Sequence, residues 1–147
     1  SVMPSRALQL VQMLAQQGEC LFCSSIKAEG GGSLLFENED FYSIAPRSPR
    51  ISFEAWILAK AHRDDFEAFG QETMRRLALL LQKVLLRLKT INAPYCFYLS
   101  SYKNKNNSHF HMEILPRMQV WGGFELASGD YIITTSPEEA GQFYRES

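Results

Sequence analysis

Two of the three histidines in this 147-residue chain stand one residue apart, in the stretch NNSHFHMEILPR from Asn106 to Arg117. Successive side chains of a β-strand alternate faces, so His109, His111 and Glu113 are expected on one face and Phe110, Met112 and Ile114 on the other. The apolar set reads as a core face, which turns the polar triplet outward or into a cleft. Edge strands also carry histidine and glutamate simply because water solvates them. Concentrating two of three histidines within three residues argues for chemistry instead. A neutral imidazole can ligate a metal, or act as a nucleophile near pH 7 while a hydrogen bond at its other nitrogen orients the ring.

A second cluster of candidates is CLFC, which sets Cys20 and Cys23 two residues apart. That gap lets both thiolates reach one tetrahedral zinc at about 2.3 Å. The rival is a redox dithiol, which favours a helix N-terminus after a strand. Ser24, Ser25 and the glycine run Gly30 to Gly32 make a poor helix start, so zinc is the expected partner. Two histidines must complete such a site, and His62, His109 and His111 are available. Either His109 and His111 bind together and His62 is solvated, or His62 joins His109 and His111 is released for other work. Spacing does not choose between them. The third cysteine, Cys96, lies in an apolar stretch and is expected to pack as a small buried hydrophobe. An odd cysteine count without a secretory signal argues against a disulfide framework.

Positioning these residues requires a set of elements that the patterning outlines. Ala7, Leu10, Val11, Leu14 and Ala15 have helical spacing, giving an N-terminal helix within residues 1–18. The CLFC segment and the glycines after it read as a loop. LLFENEDFYSIAP reads as two strands turning at Glu37 to Asp40, SFEAWILA as a third strand, and HRDDFEAFG as a turn or short helix. Met74, Leu77, Leu81, Val84, Leu88 and Ile91 mark a long helix. Leu79, Leu80, Leu85 and Leu86 widen its stripe enough to contact a second layer or a second subunit. PYCFYLSS and HFHMEILPR are strands separated by the polar loop YKNKNNS, and DYIITT is one more. SPEE opens a C-terminal helix over 137–147, with Ser136 as cap, Pro137 in the first turn and Glu139 completing a capping box. Strands joined by short turns on either side of a helix imply an antiparallel sheet and an α+β class, here one domain over 1–147.

Composition excludes several roles. A formal charge of −1 offers no bulk attraction for nucleic acid or anionic membrane, and no basic stripe with interleaved aromatics appears. No apolar run approaches the roughly 20 residues of a spanning helix, and the start lacks signal-peptide character, so a cytoplasmic protein is expected. There is no Walker loop and no dinucleotide fingerprint. Asn104, Asn107 and Ser108, with Lys103 and Lys105, are candidate phosphate donors just before the histidines. Arg47, Arg50, Lys60 and Arg117 are dispersed cations that do not form a motif.

Taken in order from about Cys20 to Tyr144, the motifs CLFC, APRSPRISFEAWILAKAH, HFHMEILPR and WGGFE resemble the histidine triad (HIT) superfamily. More narrowly, they resemble the C-terminal half of its two-domain branch, which contains galactose-1-phosphate uridylyltransferase and ADP-glucose phosphorylase. The resemblance implies a half-barrel of antiparallel strands with one long and several shorter helices packed on it. It implies a structural zinc on Cys20, Cys23, His62 and His109. It also implies that His111 attacks the α-phosphorus of a nucleotide or nucleotide sugar to give a nucleotidyl-histidine, with Asn107 and Ser108 near the phosphate. Glu113 departs from the family, whose hydrolases carry histidine and whose transferases carry glutamine at that place. A carboxylate there repels phosphate unless it is protonated or paired with a cation. In the two-domain enzymes the nucleophile lies in the other half, and this half lends sugar contacts that fall on Phe124 and Glu125. Two functions follow: a nucleotidyl transferase, phosphorylase or hydrolase, or a non-catalytic zinc domain serving as helper half or binding module. HIT domains work in pairs, so a homodimer is expected.

Overall fold

Five strands form one antiparallel sheet in the computed structural model, which describes residues 20, 22–23, 32–100, 109–130 and 132–146. They are β1 (Gly32–Glu37), β2 (Phe41–Pro46), β3 (Ala55–Ala59), β4 (Tyr95–Ser100) and β5 (His111–Pro116), in spatial order β1-β2-β3-β5-β4. The order places β3 and β5 side by side, with Leu58 opposite His111 and Trp56 opposite Glu113. Residues from both sides of the long helix thereby meet at the sheet's centre. Gly32 opens β1 at φ 143°, where a side chain would collide with the Ala45 carbonyl, so glycine is required.

The helix α1 (Gln71–Thr90) lies on one face. Leu77, Leu80, Val84 and Leu88 recur at three and four residues and are all buried. They join Phe41, Ile57, Phe110, Met112 and Ile114 in a single apolar core. Each such side chain stabilises the fold by about 1.5–3 kcal/mol on burial, and Leu88→Ala would cost about 2–5 kcal/mol. A single 3₁₀ turn (Phe66–Ala68), capped by Asp65, sets the approach to α1. The helix α2 (Gly123–Ser128) follows β5, and α3 (Pro137–Arg145) is the last helix among the described residues. In α3 the Glu139 amide donates to Ser136 Oγ at 3.1 Å, and the Ser136 amide donates to Glu139 Oε2 at 2.8 Å. Arg145 donates from this helix to the Leu34 carbonyl at 2.6 Å, covering the β1 edge. No helix among the described residues is long and apolar enough to cross a membrane.

Several expectations need correction. The third strand begins at Ala55, because Ser52 and Phe53 form a turn with Phe53 at φ 62°. The segment Asp130 to Thr135 shows no strand at its described residues. Thr134 is held there by side chains, with Ser52 Oγ at 3.3 Å and the Gln119 amide at 3.2 Å. Cys96 is exposed, not buried, because β4 is an edge strand that pairs with β5 alone among the described strands. Phe22 and Cys23 are helical, not loop. The N-terminal helix and the Tyr102 to Ser108 loop lie outside the described residues, and with them Asn104, Asn107 and Ser108.

Candidate metal centre and the neighbouring histidine

The end of β3, the start of β5 and the CLFC segment converge at one corner of the sheet. Lys60 and Ala61 carry the chain from β3 to His62, while His109 sits two residues before β5. The Phe110 amide donates to the Arg63 carbonyl and the Ala59 amide to the Phe110 carbonyl, which locks the two segments together. One ligand atom from each of Cys20, Cys23, His62 and His109 lies within 4.8 Å of the other three. His109 Nδ1 is 3.5 Å from Cys20 Sγ and 3.4 Å from Cys23 Sγ, and His62 Nδ1 is 3.4 Å from Cys23 Sγ. A tetrahedral zinc with bonds of about 2.3 Å to sulfur and 2.0 Å to nitrogen implies sulfur-to-nitrogen edges of roughly 3.5 Å. The donor set fits that ion.

Hydrogen bonding fixes which nitrogen His109 offers. Its Nε2 lies 2.7 Å from the Ala59 carbonyl, an atom that can only accept, so Nε2 carries the proton and Nδ1 faces the thiols with its lone pair. Donating the far N–H to a backbone carbonyl is the usual outer-shell support of a ligating imidazole. His109 is 3 % exposed, and burial pushes its pKa below the ordinary histidine value, which keeps it neutral for such a role.

His111 has the opposite arrangement. Its Nδ1 donates to the His109 carbonyl at 2.9 Å, leaving the Nε2 lone pair uncommitted to the backbone. Burial lowers its pKa as well, with further lowering from the Arg50 charge. The Phe22 ring packs on it, with centroids 4.4 Å apart, and Phe22 also meets the Trp56 ring. Glu113 Oε1 lies 3.4 Å from His111 Nε2, too long for a strong hydrogen bond.

Behind Glu113 stands a charged network. Arg50 Nη2 donates to Glu113 Oε2 and, at 2.9 Å, to Glu54 Oε1. Both terminal nitrogens of Arg50 lie 3.3 Å from the Tyr98 hydroxyl. Glu54 is 1 % exposed and also accepts from the Arg50 amide at 2.5 Å and from Trp56 Nε1 at 2.7 Å. Burial works against the Arg50 charge, but Glu54 and Tyr98 outweigh it and its pKa is raised. Sequence reading treated Arg50 as a dispersed cation and missed Glu54, Trp56 and Tyr98. The available signal was the alternation of Glu54 and Trp56, which puts Glu54, just before β3, on the same face as Trp56.

Other candidates fall elsewhere. Phe124 and Glu125 lie on α2, and Phe124 is 62 % exposed. Glu125 Oε2 accepts from the Gly122 amide at 3.0 Å, so its carboxylate serves its own helix terminus. Among the described hydrogen bonds and ion pairs, nothing joins either residue to His111.

The chain has a HIT-like α+β fold with a Cys₂His₂ corner and an adjacent second histidine. No family model matches the chain. It is 28% identical over 139 residues to ADP-glucose phosphorylase of Arabidopsis thaliana, covering 89% of this chain and 39% of that protein. It is 24% identical over 146 residues to galactose-1-phosphate uridylyltransferase of Thermotoga maritima, covering 90% of this chain and 46% of that one. The crystal structure of the Arabidopsis phosphorylase with bound ADP-glucose superposes with a TM-score of 0.80 at 26% identity, over 92% of this chain and 46% of that chain. A zinc-bound histidine triad family protein from Mycobacterium smegmatis shares the fold, with a TM-score of 0.61 over 86% of this chain and 91% of its own, at 21% identity. The chain spans less than half the length of these two curated relatives.

Proposed function

We propose that this domain binds a nucleotide or nucleotide sugar beside His111 and transfers the nucleotidyl group through that histidine. The observation that carries the reading is the pair of opposed tautomers. His109 turns Nδ1 toward the thiols, whereas His111 keeps Nδ1 on a carbonyl and frees Nε2. In the proposed step Nε2 attacks the α-phosphorus, the N–P bond forms, and the bond to the leaving group breaks. Phosphate or water then breaks the N–P bond and releases the product. Cys20, Cys23, His62 and His109 hold a structural zinc that, with four protein ligands, has no open position and takes no part in the reaction. Asn107 and Ser108 are placed near the phosphate in this reading, and Phe124 and Glu125 are retained only as candidate sugar contacts.

ADP-glucose and galactose 1-phosphate, taken from the relatives' names, are the first substrates to test. The protein is incubated with labelled ADP-glucose and assayed for an acid-labile histidine adduct. An adduct that vanishes in His111→Asn at unchanged zinc content supports the reading; binding without any adduct sinks the catalytic part.

That second outcome would favour a non-catalytic helper domain. Glu113 in the third place of the triad and the Phe22 ring over His111 are what support this alternative.

Two copies are proposed to pair. Leu79 and Leu86 on α1 and Phe97 and Leu99 on β4 are all more than 40 % exposed, a poor arrangement for a lone domain in water. Sedimentation should give a dimer at micromolar concentration, and a monomer there would remove the proposal.

A further inference from the structure

The Arg50 network contains more than its own stability requires. Glu54 already accepts from the Arg50 amide and from Trp56 Nε1, which nearly satisfies a buried carboxylate. The guanidinium nevertheless extends past Glu54 to Glu113, whose other oxygen faces His111 Nε2. Tyr98 supports the same guanidinium from β4. One side chain from the turn before β3 thus spans to β5 and β4, a task that suits the several fixed donors of arginine better than a lysine point charge. Arg50 also lines a cavity of about 540 Å³ together with Ser52, Arg117, Gln119 and Trp121, so its position borders space a ligand could enter.

We propose that Arg50 is a positioning residue that makes the third place of the triad tolerate an anionic substrate. Aimed by Glu54, it holds the Glu113 carboxylate and offsets the charge that would otherwise meet a phosphate beside His111. This rests on the nucleotide reading above. An unpaired carboxylate a few ångströms from a phosphate repels it even at the effective dielectric of a protein surface. Here the carboxylate is already paired, so the site's charge is set by Arg50 as much as by Glu113.

The experiment is a double-mutant cycle on the full chain, with ADP-glucose binding measured by calorimetry. Arg50→Met should weaken binding by roughly tenfold or more, within the range of coupled charged neighbours. Adding Glu113→Gln to Arg50→Met should restore most of that loss, and its benefit should be several-fold greater there than in the parent. A purely structural Arg50 would show no such rescue, because Glu54 stays stranded in the double variant. Should Arg50→Met fail to fold by circular dichroism, the same cycle is run on Arg50→Met/Glu54→Gln, which relieves the buried charge. Equal effects of Glu113→Gln with and without Arg50, in a protein that binds ADP-glucose, overturn this inference alone. A folded parent that does not bind ADP-glucose overturns the nucleotide reading and this inference with it.

Discussion

His109 and His111 lie two residues apart on one stretch of chain, yet their surroundings give them opposite chemistry. His109 precedes β5, is almost fully buried, and gives its Nε2 proton to the Ala59 carbonyl across the sheet. His111 begins β5 and gives its Nδ1 proton to the His109 carbonyl next door. Burial keeps both neutral, so the difference is not one of charge. It is a difference of which backbone oxygen each ring finds, and therefore which nitrogen is left over. A fixed carbonyl chooses the tautomer, and the tautomer decides whether the ring faces the thiols or the open side. One side of this pair leads to a Cys₂His₂ corner, the other to the Arg50–Glu113 network.

The contrast predicts that removing the metal is the most damaging change. Ions that join segments distant in sequence contribute their binding energy to folding. The protein should contain about one zinc per chain, and a strong chelator should cost on the order of 5–10 kcal/mol, enough to unfold a domain of ordinary stability. Metal analysis followed by thermal unfolding with and without chelator checks both statements. A melting temperature indifferent to the chelator would mean that the His109 side is not a metal centre.

Glu54 comes next. Its carboxylate takes three donors, and glutamine would offer one acceptor oxygen and turn an N–H₂ toward a donor. Glu54→Gln is expected to cost about 1–3 kcal/mol in urea unfolding while zinc content stays the same. Loss of zinc in that variant would show that the two sides are one cooperative unit, which would break the contrast.

How much of this was written in the sequence differs between the two sides. The sheet and the long helix follow from apolar periodicity, and the α3 cap follows from Ser136, Pro137 and Glu139 alone. Spacing nominated the cysteines and histidines but left the histidine pair undecided, because the choice depends on where the end of β3 meets the start of β5. Beyond the alternation of Glu54 and Trp56, the Arg50 network was not readable. Its members come from the turn before β3, from β3, from β4 and from β5, and no periodic pattern links a turn arginine to a strand carboxylate 63 residues away. The strand assigned to Asp130–Thr135 failed for a related reason. Its β-branched residues satisfy strand propensity, but Thr134 is bound by Ser52 and Gln119 side chains instead of by a ladder.

The smallest expected effect on stability belongs to His111 itself. Its Nε2 makes no strong hydrogen bond, and its Nδ1 bond to the adjacent carbonyl is one an asparagine amide can reproduce. His111→Asn should therefore change folding free energy by less than about 1 kcal/mol and leave zinc in place. The same substitution should remove the histidine adduct completely, because the proposed zinc site takes the Nδ1 of both other imidazoles. Metal analysis, urea unfolding and adduct assay on one preparation of this variant test the contrast directly. If zinc is lost along with the adduct, His111 belongs to the metal's side of the strand, and the nitrogen that appears available is serving the ion.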